Sequence, residues 1–138
     1  MNCPFCKINE NRTKILQYNK NTFVALSNPR IVQGHILVIP RRHVEKLSDL
    51  TEEEKKELVD TVIEFQGKII LKISPGCDLR INYRPFQKQG RLKVDHLHIH
   101  LIPRSLYDKI YKIVQINEKY LFADMDKKEM EKSARLFL

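Results

Sequence analysis

The chain has 138 residues and a formal net charge of +8, from 25 Lys and Arg against 17 Asp and Glu. With 42% hydrophobic residues, four Gly and six Pro, it is neither disordered, collagen-like nor a disulfide scaffold, and we expect one domain over residues 1–138. No apolar run is long enough to span a membrane, and cysteines occupy the place of a signal peptide's apolar stretch. These features predict a cytoplasmic protein with no membrane association and with anionic partners.

Three strands are predicted in the first third of the chain. Residues 14–18 and 22–27 have strand-forming patterns on either side of the turn-forming sequence Asn19-Lys20-Asn21, which is typical of a hairpin. Residues 35–39 form a short apolar run that is stopped by Pro40, because proline has no backbone N–H to donate to a strand ladder. This run is typical of a central strand.

A long helix is predicted to begin at Thr51, because Thr51 and Glu54 have the spacing of a capping box. Apolar residues then follow at intervals of three and four, and we expect the whole stripe to pack on a sheet. Ser74-Pro75-Gly76 ends the helix. The stripe consists of Leu58, Val59, Val62, Ile63, Ile69, Ile70 and Ile73.

Two more strands, at residues 79–84 and 94–102, are predicted on either side of a polar loop at residues 87–90. A short last helix is predicted to open at Asp126, with Glu129 three residues later. Five strands with one long and one short helix give an α+β fold.

Histidines alternate with apolar residues from His96 through His98 to His100. On a strand, alternate side chains share a face, so the three imidazoles would emerge together while Leu97 and Ile99 enter the core. Two chemistries use such a row: a divalent metal held by imidazole nitrogens, or a neutral histidine nucleophile with neighbours that orient it. Spacing alone does not choose between them.

The pattern of residues 96–102 resembles the signature of the histidine triad family, in which three histidines alternate with apolar residues and two apolar residues follow. Pro103-Arg104 follows here as in many members. The run from Gly34 to Val44 is similar to the family's second conserved block, and Cys3-Pro4-Phe5-Cys6 is similar to the start of many bacterial and archaeal members. The resemblance covers residues 1 to 104, and we expect residues 105–138 to be a C-terminal extension.

The resemblance implies a mainly antiparallel five-stranded sheet with the long helix packed on it, a homodimer, and a nucleotide hydrolase or nucleotidyl transferase. The central histidine, His98, would attack the α-phosphorus and form a covalent nucleotidyl-histidine. His96 would orient His98, and His100 would hold phosphate and leaving-group oxygens. His35 would support the three from a neighbouring strand.

Cys3 and Cys6 have the spacing that brings two thiolates to one zinc ion, which needs about four ligands. The resemblance implies that His43 and His96 complete the set and that the zinc is structural. Two free surface thiols are the alternative.

The resemblance also implies the residues that bind substrate. The position of the ribose ligand falls on Ser27, with Asn28 next to it, and Asn82 is the candidate for the amide that meets the phosphate. The loop before the histidines departs from the family, because Lys93 stands where members have a small or hydroxyl residue. We expect an irregular backbone there to bring Lys93 toward the phosphate, with Arg84 as a second cation.

Two other functions are weighed against this one. In a metal-dependent hydrolase all three histidines would bind a catalytic metal, but only Asp95, which alternation places on the other face, is near enough in sequence to orient them. A basic nucleic-acid binding module would explain the charge of +8. Nucleic acid is nevertheless an unfavoured partner, because the strands lack the aromatic and basic pattern of RNA-binding sheets.

Overall fold

The first structural unit, which ends at Ser105, is built on five strands. In the computed structural model, which describes residues 2–138, the sheet has the order β1-β2-β3-β5-β4, and every neighbouring pair is antiparallel. The predicted α+β fold with a five-stranded antiparallel sheet is confirmed. The strands are β1 (Ile15–Tyr18), β2 (Thr22–Leu26), β3 (Ile36–Pro40), β4 (Gly76–Arg80) and β5 (Ile99–Arg104).

The central strand β3 is buried along its whole length, because both faces of the sheet are covered there. On one face, Val24 and Val38 pack in a core cluster with residues of the long helix α1 (Glu52–Lys72). On the other face, Leu37 and Ile39 pack in a second cluster against Phe5 from the N-terminal segment. A continuous apolar run is the pattern expected for a strand covered on both sides.

Helix α1 begins as predicted, with Thr51 Oγ1 accepting a hydrogen bond from Glu54 N at 3.2 Å and Thr51 N donating to Glu54 Oε1 at 2.8 Å. The expectation that the whole apolar stripe packs on the sheet is wrong. Successive helical residues are about 100° apart, so only one of each adjacent pair can face the sheet. The buried face carries Leu58, Val62, Phe65 and Ile69, whereas Val59, Ile63, Ile70 and Ile73 are exposed.

The last two strands are shifted from their predicted positions. Strand β4 ends at Arg80 rather than at residue 84, and β5 begins at Ile99 rather than at residue 94. The β3–β5 ladder starts at the Val38 and Ile99 pair, and before it Leu97 N donates instead to Val44 O at 2.6 Å. The backbone of His96 and His98 therefore precedes the strand.

The second unit runs from Leu106 to Leu138 and is helical. It contains a π-helical turn at Tyr111–Gln115, the short helix α2 (Ile116–Glu118) and a 3₁₀ turn at Lys119–Leu121, followed by α3 (Lys127–Arg135). The predicted start of the last helix is confirmed, because the Asp126 side chain accepts a hydrogen bond from Glu129 N at 2.8 Å. Within residues 2–138, no helix has both the length and the apolar composition needed to cross a membrane.

Candidate active site and metal cluster

The three alternating histidines line a cavity of about 230 Å³ together with residues of the loop that precedes them. The cavity carries charges of both signs. Besides His96, His98 and His100, its polar lining includes Glu45, Asn82, Arg84, Lys93 and Asp95.

His98 is held in one tautomer by its own chain. Its Nδ1 lies 2.6 Å from the carbonyl oxygen of His96, which can only accept a hydrogen bond, so Nδ1 carries the proton. In the neutral ring Nε2 then has a free lone pair. Burial lowers the pKa of His98 and outweighs the opposing effect of the hydrogen bond to His96 O, so the ring is neutral at physiological pH. The edge of the Phe5 ring packs against it, with the ring centroids 5.0 Å apart.

His100 has its tautomer set by a chain of hydrogen bonds. Ile31 N donates to His35 Nδ1 at 3.1 Å, so the proton of neutral His35 is on Nε2, which donates to His100 Nδ1 at 2.9 Å. His100 therefore has its own proton on Nε2 and is a hydrogen-bond donor there. The pKa of His35 is lowered to about 4 and that of His100 to about 3, mainly by burial, and the charges of His98 and Arg80 act on both rings in the same direction.

His96 takes no part in the hydrogen bonds between His35 and His100. Its ring belongs instead to a cluster with Cys3, Cys6 and His43. The four ligand atoms all lie within 4.8 Å of one another. Cys3 Sγ is 3.3 Å from His96 Nδ1, Cys6 Sγ is 3.2 Å from His43 Nδ1, and the two Nδ1 atoms are 3.2 Å apart. Zinc with bonds of about 2.3 Å to sulfur and about 2.0 Å to nitrogen in a tetrahedron would separate its ligand atoms by roughly 3.3 to 3.8 Å. The spacing and the two-sulfur, two-nitrogen donor set therefore fit zinc.

His96 also has its tautomer fixed. Its Nε2 lies 2.8 Å from the carbonyl oxygen of Pro40, to which it donates, so Nδ1 has the lone pair that a metal requires. The side chain is buried, with 1% exposure. Of the three alternating histidines, His96 alone belongs to a possible metal-binding group within residues 2–138. His98 and His100 have other partners, which gives no support to a metal ion held by all three.

Lys93 and Asn82, which were predicted to bind substrate, both line the cavity, and their role in substrate binding stays a prediction. The backbone at Lys93 is irregular as predicted, with an isolated bridge between Gly90 and Lys93, and the irregular segment continues past residue 94, where a strand was expected. Asp95 was expected on the opposite face from the histidines, and this is wrong. Because β5 begins four residues later, strand alternation does not apply at Asp95, whose carboxylate lines the same cavity and forms an ion pair with Lys93.

Ser27 and Asn28 are not among the residues that line this cavity. Ser27 Oγ donates to Pro29 O at 2.9 Å, and the Asn28 side chain donates to Arg12 O. Ser27 therefore binds the backbone of its own loop and Asn28 binds that of the segment before β1, and their assignment to ribose binding stays a prediction.

Two contributors to the site were not predicted from the sequence. The carbonyl oxygen of Pro40 orients His96, and the carboxylate of Asp95 neutralises Lys93. A backbone carbonyl gives no signal in a sequence. Asp95 could have been found from its position directly before the histidine row, had the irregular start of β5 been recognised.

Comparison with known proteins places this site in a family. The HIT domain family matches residues 9–106 of the chain. An asymmetrical bis(5′-nucleosyl)-tetraphosphatase of Schizosaccharomyces pombe is 36% identical over 93 residues, which are 64% of this chain and 50% of that protein. The chain thus spans half the length of that relative. An adenosine 5′-monophosphoramidase of the same yeast is 30% identical over 109 residues, 75% of each chain.

Solved structures agree with the fold. A HIT family protein from Bacillus subtilis superimposes with a TM-score of 0.73 over 99% of this chain and 95% of that one, at 22% identity. A zinc-bound histidine triad family protein from Mycobacterium smegmatis superimposes with a TM-score of 0.64 at 26% identity, over 79% of each chain.

Proposed function

The chain belongs to the HIT domain family, and on that premise we propose that it is a nucleotide hydrolase or nucleotidyl transferase that acts at the α-phosphorus through a covalent intermediate on His98. Its named relatives are enzymes that act on nucleotides, a bis(5′-nucleosyl)-tetraphosphatase and an adenosine 5′-monophosphoramidase. Their names support a nucleoside phosphate derivative as the substrate.

One observation carries this proposal, the 2.6 Å hydrogen bond from His98 Nδ1 to His96 O. It leaves the Nε2 lone pair of a neutral, half-buried imidazole beside a cavity lined by Lys93 and Arg84. A nucleophile must be unprotonated, and cations nearby would attract an anionic phosphate.

In the first half of the reaction His98 Nε2 would attack the α-phosphorus. A P–N bond forms, the bond to the leaving group breaks, and the leaving group departs with a proton from solvent. The imidazole then carries a positive charge, which the His96 carbonyl oxygen stabilises through the Nδ1 proton. His100 Nε2–H would donate to a phosphoryl or leaving-group oxygen.

In the second half, water attacks phosphorus and the P–N bond breaks. The electron pair returns to His98 Nε2, and a nucleoside monophosphate and a proton leave. Another nucleophile in place of water would give nucleotidyl transfer by the same steps.

We propose in addition that Cys3, Cys6, His43 and His96 hold one zinc ion. The zinc would act structurally by cross-linking the N-terminal segment, the loop after β3 and the start of the histidine row. Because His96 is both a ligand and the residue whose carbonyl orients His98, the site would also support the nucleophile.

Three further expectations remain proposals. A homodimer is supported by the exposed apolar residues on α1 and at the edge strand β4, including Ile63 and Leu79, and light scattering of the purified chain tests it. We also propose a cytoplasmic location, and we propose that residues 105–138 are a C-terminal extension of a single domain.

The activity is tested by incubating the chain with adenosine 5′-monophosphoramidate and, separately, with a dinucleoside polyphosphate, while AMP is measured. We expect turnover of at least one of them and none by His98→Asn. Equal rates for the wild type and His98→Asn would contradict the proposal.

A further inference from the structure

His43 is the cluster member whose orientation most needs explanation. The other histidine ligand, His96, is oriented by the hydrogen bond from its Nε2 to Pro40 O at 2.8 Å. No hydrogen bond to His43 Nε2 is formed by any group within residues 2–138, and the side chain is exposed. The second nitrogen of a metal-binding histidine usually has a protein or water partner, and at exposed His43 the orientation of the ring depends on how the chain on either side is held.

The residue before His43 is held by two bonds to one carboxylate. Arg42 Nε donates to Glu54 Oε2 at 3.1 Å, and Arg42 Nη2 donates to Glu54 Oε1 at 2.8 Å. Arg42 Nη2 also donates to Asp49 O at 2.7 Å. We name the bidentate pair the Arg42–Glu54 clamp. Two parallel hydrogen bonds of this kind fix the plane of the guanidinium group as well as its distance from the carboxylate.

Glu54 is a rigid anchor for this clamp. It lies on the first turn of α1 with 6% exposure, and its Oε1 also accepts the hydrogen bond from Thr51 N. The hydrogen bond from Arg42 holds the pKa of Glu54 at about 2, so the carboxylate stays charged at every pH at which the chain would act. A buried charge is costly without its partner, which favours one arrangement of Arg42.

The residue after His43 is held as firmly from the other side. Val44 is 4% exposed within the core cluster of β3, β5 and α1, and its carbonyl oxygen accepts the hydrogen bond from Leu97 N at 2.6 Å. Leu97 directly follows His96. This bond sets the distance between the two histidine-bearing segments, while the clamp sets the path of the chain into His43.

We propose that Arg42 and Glu54 are positioning residues for the metal site, which keep His43 Nδ1 within 3.2 Å of both Cys6 Sγ and His96 Nδ1. The inference rests on the proposed zinc site and deepens it. The first turn of α1 thereby acts on metal binding, although it contributes no ligand.

Glu54→Gln is the sharpest variant, because glutamine can still accept the Thr51 N hydrogen bond of the capping box but lacks the charge that holds Arg42. Glu53→Gln is the matched control: it removes one charge from the same turn, where Glu53 forms an exposed ion pair with Lys20 at 2.9 Å. Zinc affinity is measured by chelator competition. We expect Glu54→Gln to bind zinc about 10 to 100-fold more weakly and Glu53→Gln to change affinity less than about twofold.

A double-mutant cycle with Arg42→Gln separates positioning from general stability. If the two residues act as one clamp, the double variant binds zinc no more weakly than the worse single variant. The absorption spectrum of the cobalt-substituted chain should change in both single variants, since it reports ligand geometry, and the melting temperature of the metal-free chain should not account for the lost affinity.

Three outcomes would overturn the inference. Glu54→Gln could bind zinc as tightly as the wild type, or the two single effects could add in full. The loss of zinc affinity could also be explained entirely by a lower melting temperature of the metal-free chain, with an unchanged absorption spectrum of the cobalt-substituted chain. If the wild type itself binds no zinc, the proposed zinc site fails and the role of the clamp fails with it, whereas a zinc-binding wild type with an unaffected Glu54→Gln variant removes the clamp alone.

Discussion

The two ends of the histidine row are chemically different although their sequence pattern is the same. At one end, His96 donates from Nε2 to Pro40 O and directs its Nδ1 lone pair at two cysteines and His43. At the other end, His100 accepts on Nδ1 from His35 and has a proton on Nε2. Between them, His98 donates from Nδ1 and keeps its lone pair on Nε2.

The comparison shows that the partner of the second ring nitrogen decides what each imidazole can do. The same side chain becomes a metal ligand, a nucleophile or a hydrogen-bond donor, depending on which nitrogen a neighbour occupies. Substitutions can remove these contacts one at a time.

The largest effect is expected at the centre of the row. His98→Asn removes the Nε2 lone pair and should lower kcat by about 10⁴-fold or more, as loss of a covalent nucleophile generally does. Zinc content and circular dichroism should stay as in the wild type, because His98 belongs to neither the metal cluster nor the helices. A variant that retained a tenth of the wild-type rate would remove His98 as the nucleophile.

The His96 end is tested through its sulfur partners. Cys3→Ser should abolish stoichiometric zinc binding and lower the melting temperature by about 10 °C, because the metal links segments that are distant in sequence. Cys77→Ser is the control, since Cys77 is a half-buried free thiol outside the cluster. Equal melting temperatures and equal zinc content in Cys3→Ser and the wild type would contradict the assignment.

The secondary structure around the histidine row could be predicted from the sequence only in part. The helix start at Thr51, the hairpin and the buried run of β3 follow from local patterns, and the structure has all three. The start of β5 does not, because the bond between Leu97 N and Val44 O that replaces the ladder joins residues 53 positions apart. Local alternation therefore misplaced Asp95.

The tautomers were equally out of reach of the sequence. His35 and His100 are 65 residues apart, and His96 and Pro40 are 56 apart. Which nitrogen His96 and His100 offer depends on these long-range contacts. The family resemblance supplied the same residues as a group, but not the hydrogen bonds that distinguish them.

The cavity between the ends is tested at Lys93. Lys93→Ala should lower kcat/KM about 100-fold, roughly 2.7 kcal/mol, if the substrate phosphate replaces Asp95 as the partner of its ammonium group. Lys88→Ala is the control, because Lys88 lies in the same loop and is exposed. A change in Lys93→Ala smaller than about twofold would assign Lys93 to a purely structural ion pair, and Arg84 and Asn82 would be the next candidates.

The smallest effect concerns the His100 end and pH. The pKa of His35 is about 4 and that of His100 about 3 in the folded chain, against an ordinary value of 6.5. Below about pH 7.5 the unfolded chain begins to bind protons that these rings do not, so the contribution of the pair to the free energy of unfolding should fall as pH is lowered from about 7.5 toward 4 and level off above about 7.5. Arg80 and His98 face the pair and disfavour its protonation.

Urea unfolding of the zinc-loaded chain across this range measures that slope. The double variant His35→Gln/His100→Gln should have a shallower slope than the wild type, while contributions from the metal ligands cancel between the two. Identical slopes would show that the two rings are not held neutral by burial.

The division of roles along the row is tested most directly by locating the covalent adduct. The chain is mixed with adenosine 5′-monophosphoramidate, quenched within milliseconds in alkaline denaturant, in which a phosphorus–nitrogen bond survives, and digested for peptide mass spectrometry. We predict one adenylyl group, on His98, in the wild type and none in His98→Asn, with zinc still bound to the undigested variant. An adduct on His96 or His100, or turnover without any adduct, would contradict the account.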